Sequence, residues 1–232
     1  MKKTLKYFFS TYVLFFLFLS VYSQTERIKG LRLGIDLSRF SLYYLEPSRT
    51  CFQLSADFEV IDNLYPIIEY GQQTVDLIKP TYNYQSKGSY YRIGADYNFL
   101  TSKAHNQYDM VFLGLRFGTA NMSHSANNIT VDTIHSYWGQ YSDGMVPENN
   151  IKAYWIEVTP GIRAEIFKNF FMGWSISGRI MLKQGKEYYM DPYNIPGYGN
   201  GSSKTGMGFN YSIFYRIPIL KEKIKKPANL KK

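Results

Sequence analysis

Ser89-Tyr-Tyr-Arg-Ile-Gly-Ala-Asp-Tyr-Asn-Phe-Leu100 sets Tyr91, Ile93, Ala95, Tyr97 and Phe99 against Arg92, Gly94, Asp96 and Asn98. The odd positions are apolar or aromatic and the even ones polar or without a side chain. A strict period of two belongs to a β-strand, and here its two faces meet different solvents. The run is about ten residues long, which is what a tilted strand needs to cross a bilayer.

The same alternation recurs on both sides of this stretch. It predicts strands over Leu31–Leu37, Thr50–Ile61, Leu64–Gln73, Ser89–Leu100, Tyr108–Gly118, Lys152–Ile166, Phe171–Leu182 and Gly206–Ile217, with no helical segment in the mature chain. The expected fold class is therefore all-β, an eight-stranded antiparallel transmembrane β-barrel of the outer-membrane type. The intervening segments 39–49, 74–88, 119–150 and 183–205 read as long loops, whereas 62–63, 101–107 and 167–170 read as short turns. Outer-membrane barrels carry short periplasmic turns and longer outer loops, so both termini are expected on the periplasmic side.

The amino terminus points to the same compartment. Lys2, Lys3 and Lys6 precede an apolar run from Phe8 to Val21, and Val21-Tyr22-Ser23 suits cleavage before Gln24. The run is too short for a helix that must span a hydrocarbon core of about 30 Å. The expected organisation is a signal peptide over residues 1–23, a barrel over 24–219 and a basic periplasmic tail over 220–232. Cys51 is the only cysteine, so no intramolecular disulfide holds the fold.

Composition agrees. The chain has 22 Tyr and 16 Phe, an excess that suits the aromatic girdles of a membrane barrel. The formal net charge of +9 looks like a signal for nucleic acid until it is located. Part of it leaves with the signal peptide and part lies in the tail from Lys221 to Lys232, so no basic stripe remains for nucleic acid to follow.

A soluble exported barrel that binds a ligand would also alternate, and the polar face separates the two readings. It carries Arg32, Arg92, Arg116, Arg163, Arg179 and Arg216 with Asp36, Asp57, Glu59, Glu69, Asp96, Glu157 and Glu165, but no Lys. A water-washed face would use Lys freely, while a confined lumen favours Arg, whose planar fork binds carboxylates bidentately. These thirteen residues are the candidate site: a luminal charge network that fills the interior of an eight-stranded barrel.

Gly30-Leu-Arg-Leu-Gly-Ile-Asp-Leu-Ser-Arg-Phe40, Leu54-Ser-Ala-Asp-Phe-Glu59, Lys79-Pro-Thr-Tyr-Asn-Tyr84, Gly88–Phe99 and Gly114-Leu-Arg-Phe-Gly118 resemble an uncharacterised domain-of-unknown-function family of short outer-membrane barrels from Bacteroidota. The resemblance implies a location and a fold, and no activity, cofactor or catalytic residue. Tyr215 is followed by a basic tail where many such barrels end on an aromatic residue, so the assembly signal is expected to be internal.

Two function classes remain open. In the first, a structural or interaction protein sits in outer-membrane lipid and meets an extracellular ligand or protein partner through loops 119–150 and 183–205. In the second, a rim-loop enzyme acts on lipid through Ser123-His124-Ser125 or Asp132 with His135-Ser136. The second reading is the weaker, because base and nucleophile need a rigid element and these residues read as a mobile polar loop. Metal binding by His124, Asp132 and His135 is weak for the same reason, and His105 falls in a turn. No cofactor is expected. Gly197-Tyr-Gly-Asn-Gly-Ser-Ser203 has no following helix, so it reads as a flexible loop and not as a phosphate cradle.

Overall fold

The computed structural model describes residues 26–40, 46–100, 108–131, 141–185 and 190–223. The amino-terminal segment with its cleavage site, the 101–107 turn with His105, Asp132, His135 and the end of the tail lie outside these. Ten strands form among the described residues: β1 (Glu26–Asp36), β2 (Arg49–Phe58), β3 (Leu64–Lys79), β4 (Tyr82–Asn98), β5 (Met110–Val131), β6 (Tyr141–Phe167), β7 (Phe170–Gln184), β8 (Asn194–Ile195), β9 (Gly199–Asn200) and β10 (Thr205–Lys223).

Strands β1 to β7 and β10 close into one antiparallel barrel in the order β1-β10-β7-β6-β5-β4-β3-β2. Closure joins β1 to β10 with Leu33 opposite Tyr215 and Asp36 opposite Ser212. This leaves the barrel sheet without a lengthwise open edge. The period of two then sorts every strand. Ile93, Leu115, Ile68 and Ile176 stand on the exposed exterior, while Arg92, Asp96, Arg116 and Glu157 are buried inside. An exterior of exposed Leu, Ile, Val and Phe is what hydrocarbon requires of a barrel wall.

Four expected boundaries are corrected. Residues 74–88 are not a loop, because β3 and β4 continue as a paired hairpin to Lys79 opposite Tyr82 and turn at Pro80-Thr81. Most of 119–150 is likewise strand, with Asn121 opposite Lys152 and His124 opposite Asn149. The tail is expected from residue 220, yet β10 runs on to Lys223, opposite Glu26. Segment 183–205 contains the small β8–β9 hairpin, with Pro192 and Asn194 to Tyr198 buried.

The asymmetry between the two ends therefore resides in strand length. Strands β4, β5 and β6 have 17, 22 and 27 residues, against about 9–11 needed to cross a bilayer. The excess lies at one end, so β3 to β6 rise as a tall curved wall beside a lower rim formed by β7, β10, β1 and β2. At the opposite end the described connections stay tight, and Asn63 (φ 67°) and Asn169 (φ 66°) take the left-handed conformation that Asn tolerates in turns.

Candidate functional site: the luminal charge network

Inward positions along the strands build the lumen in three layers. Near the short turns lies a floor of Tyr65, Met110, Phe112, Phe171 and Phe214, all buried. Above it come the charged residues. At the level of the tall wall the inward face turns apolar again, with Tyr90, Ala120, Met122, Ile151, Ala153 and Trp155 closed over by Ile195 and Tyr198 of the β8–β9 hairpin.

The middle layer is a continuous chain of ion pairs. Arg179 Nε donates to Glu157 at 3.0 Å, and Arg92 Nη1 donates to both oxygens of the same carboxylate at 3.1 Å. Arg92 Nε lies 2.8 Å from Glu69, which is 3.8 Å from Arg116 Nε. Arg116 Nη2 donates to Asp96 at 3.0 Å, and Asp96 lies 3.9 Å from Arg163. Arg163 Nη1 donates to Asp57 at 2.9 Å, and Asp57 also accepts from Arg32 Nε. Nine of the thirteen expected residues are thus brought together.

The other four lie at the ends. Asp36, at the end of β1 on the lower rim, meets Arg39 at 3.1 Å, and it also accepts from the Ser38 hydroxyl at 2.6 Å. Glu165 and Arg216 pair at 3.4 Å on the turn side. Glu59 accepts from the Asn63 N–H in the β2–β3 turn at 3.0 Å. A cap that saturates a turn and a pair that closes an end are local tasks, separate from the central chain.

Several participants escape a reading based on charge and alternation. Thr159 and Trp155 donate to Glu157 at 3.2 and 3.5 Å. Arg39, which falls in the loop after the first expected strand, also donates to Gln53 and Asn210, at 3.2 and 3.0 Å. Aromatic faces take the remaining cationic surface, with Arg163 3.9 Å over the Phe214 ring and Arg32 4.3 Å over Tyr65. Phe214 and Tyr65 share the strand parity of Arg216 and Glu69. Their partnership with Arg depends on register across the lumen.

Packing leaves little space. The cavity beside Glu69, Arg116, Arg163 and Phe214 measures about 20 Å³, room for about one water. Glycine lets bulky inward side chains fit: a Cβ on Gly118 would collide with the Trp155 ring, and one on Gly71 with the Tyr90 ring.

The mouth at the tall-wall end is held by specific bonds. Arg179 Nη1 donates to the Tyr198 carbonyl at 2.8 Å, and the Tyr84 hydroxyl accepts from the Tyr193 N–H at 3.2 Å. Gln73 donates to Asn194. Gly197 takes φ +75° directly against the Tyr90 ring, where a side chain would not fit. Gly197–Ser203, expected as a flexible loop, is instead part of the packed cap, with Gly197, Tyr198 and Gly201 buried. Tyr198 donates its hydroxyl to the Ser203 carbonyl at 2.8 Å, and burial raises its phenol above the ordinary tyrosine pKa.

Ser123-His124-Ser125 also departs from expectation. His124 is buried inside β5 with its ring 5.7 Å from that of Tyr84, so it is no loop residue. Strand alternation turns Ser123 and Ser125 to the opposite face, away from the histidine. Among the described residues no group of three His, Cys, Asp or Glu side chains is placed to hold a metal ion. Cys51 is buried near the mouth and its thiol donates to Gln73 at 3.3 Å.

Comparison with known proteins adds two distant structures. The amino-terminal β-barrel domain of Pseudomonas aeruginosa OprF is 12% identical, covering 84% of this chain and 100% of its own, with a TM-score of 0.35. Neisserial surface protein A (NspA) is 11% identical, covering 85% and 100%, with a TM-score of 0.33. At these scores the fold rests on the closed strand order of this chain alone. No curated protein matches. A family profile covers residues 4–222, so the chain belongs to the family described as Domain of unknown function (DUF6048).

Proposed function

We propose that this protein is exported with cleavage before Gln24 and sits in the outer membrane as a non-conducting barrel of structural or interaction role, presenting the β3–β6 wall to the outside. The membrane reading is supported by the exposed apolar exterior, where Ile93 is 62% and Leu115 63% accessible. A soluble exported barrel would leave that surface in water at a large hydrophobic cost. The outward direction of the wall follows from the convention that outer-membrane barrels are short on the periplasmic side. Segment 119–150, most of it the β5–β6 hairpin, and the cap from 183 to 205 are then the surfaces that a ligand or protein partner would meet.

The observation that carries the non-conducting reading is the chain of ion pairs from Arg179 to Arg32, packed between an aromatic floor and an apolar cap. Ions entering such a lumen would have to break buried pairs, and removing one partner of such a pair typically costs about 3–5 kcal/mol. The test is recording from purified protein in planar bilayers. Silence is expected, and reproducible steps of porin size would overturn the reading.

A further inference from the structure

The exterior of β3, β4 and β5 changes character row by row above the apolar belt. Cross-strand register places Ile68, Ile93 and Phe117 in one row and Tyr70, Tyr91 and Thr119 in the next. Gln72, Ser89 and Asn121 follow, then Thr74, Lys87 and Ser123, then Asp76, Gln85 and Ser125. The last two rows line a groove of about 290 Å³ on the outward-facing side of the wall. Tyr70 and Tyr91, with ring centroids 4.9 Å apart, form the upper edge of the belt beneath it.

We infer that this groove binds the head of a phosphorylated glycolipid whose acyl chains lie on the belt below. Belt and groove are one uninterrupted face, so a molecule standing on Ile68, Ile93 and Phe117 presents its polar end to Lys87. Four residues of strand separate the tyrosine row from the lysine row, which at the usual rise and tilt is a height of about 10 Å. The polar layer on one side of an ordinary bilayer is only about 5–8 Å thick. A phospholipid head is met only by the Lys87 stem bending down, whereas a sugar-bearing head also reaches the hydroxyl rows of Thr74, Ser123 and Ser125.

The chemistry of the groove fits that head. Thr74, Ser123, Ser125 and Gln85 offer hydroxyl and amide groups that both donate and accept, as sugar hydroxyls require. Lys87 supplies a point charge for a phosphate. Asp76, which accepts from Gln85 at 3.5 Å, places a negative charge at the upper end and confines the phosphate to the Lys87 side.

This inference rests on the membrane reading, and the test separates the two. The mature chain is refolded into bilayer nanodiscs, which registers insertion on its own. Native mass spectrometry then follows retention of three probes: lipid A (a phosphorylated disaccharide lipid), phosphatidylglycerol and glucosamine 1-phosphate. Retention of lipid A over the other two is expected. Lys87→Gln should weaken it about tenfold, the loss of one charge-assisted bond, and Lys87→Arg should restore it. Lys168→Gln, at the opposite rim, should leave it unchanged. Equal retention of phosphatidylglycerol, equal binding of the free sugar phosphate, or indifference to Lys87→Gln would each overturn the inference while insertion stood. Failure to insert would overturn the membrane reading, and this inference with it.

Discussion

Arg92 and Glu157 meet across a strand that separates them: β4 and β6 both flank β5, yet Arg92 Nη1 lies 3.1 Å from both oxygens of the Glu157 carboxylate. Neither side chain is exposed at all. The bond spans the wall of the lumen, and Gly118 on the intervening β5 leaves room for the Trp155 ring beside it.

Because both Glu157 and Glu69 depend on Arg92, Arg92→Met leaves two buried carboxylates short of a partner. The expected loss of stability is about 3–5 kcal/mol, the usual cost of breaking a buried pair from one side. Urea unfolding of the refolded barrel, followed by tryptophan fluorescence, measures it. A change within error would show that the carboxylates are satisfied without Arg92.

Leu113 stands on the exterior of β5 opposite Tyr97 and Pro160, and it is exposed. Leu113→Arg should cost about 2–4 kcal/mol if that position lies near the bilayer midplane. Equilibrium unfolding in bilayers gives the value, and the same substitution at Thr74, above the belt, should cost far less.

Gly118→Val drives a branched side chain into the Trp155 ring. Overpacking of this kind usually costs about 1–3 kcal/mol, and here it should also displace the indole from Glu157. The readout is a shift in tryptophan emission together with a lower unfolding midpoint.

Tyr198→Ala removes the ring that packs edge-on against Trp155 at 5.7 Å. The β8–β9 hairpin should come loose while the barrel strands stay paired. Limited proteolysis is then expected to cut between residues 190 and 204 in the variant and to spare the parent protein.

Insertion of an epitope after Asn128, an exposed residue with φ 53° at a break in the β5–β6 register, should be reachable by antibody on intact cells. An epitope replacing the chain after Lys223 should not. Equal labelling of both would reverse the assigned topology.

How much of this was legible in the sequence follows from where contrast exists. Between Leu31 and Ile217 the eight barrel strands announce themselves because an apolar exterior on one face and a charged lumen on the other demand opposite residues. Above the apolar belt that contrast lapses. On β5, Ala120, Met122 and Ala126 point inward and Asn121, Ser123 and Ser125 outward, a weak alternation that resembles a polar loop. The cap was illegible for another reason: strands of two residues have no period, and Ile195 and Tyr198 join a cluster with Tyr90, Met122, Ile151 and Trp155, all 40 or more positions away. The charged residues could be enumerated from parity, but their pairing follows from stagger around the barrel. Arg92 opposes Glu69 directly in the register, whereas its bond to Glu157 requires the curvature that brings β4 and β6 together.

The ion-pair chain draws one or more side chains from each of β1 through β7. A partial sheet, such as a β3–β4–β5 meander, strands Arg92, Arg116 and Glu69 without Glu157 or Arg163. In every incomplete intermediate that face must therefore stay hydrated, because its charges can leave water only when the distant strands bring their partners. Assembly of such a wall is disfavoured in instalments: the barrel should join its first and last strands in a single concerted event, with half-built sheets too short-lived to accumulate.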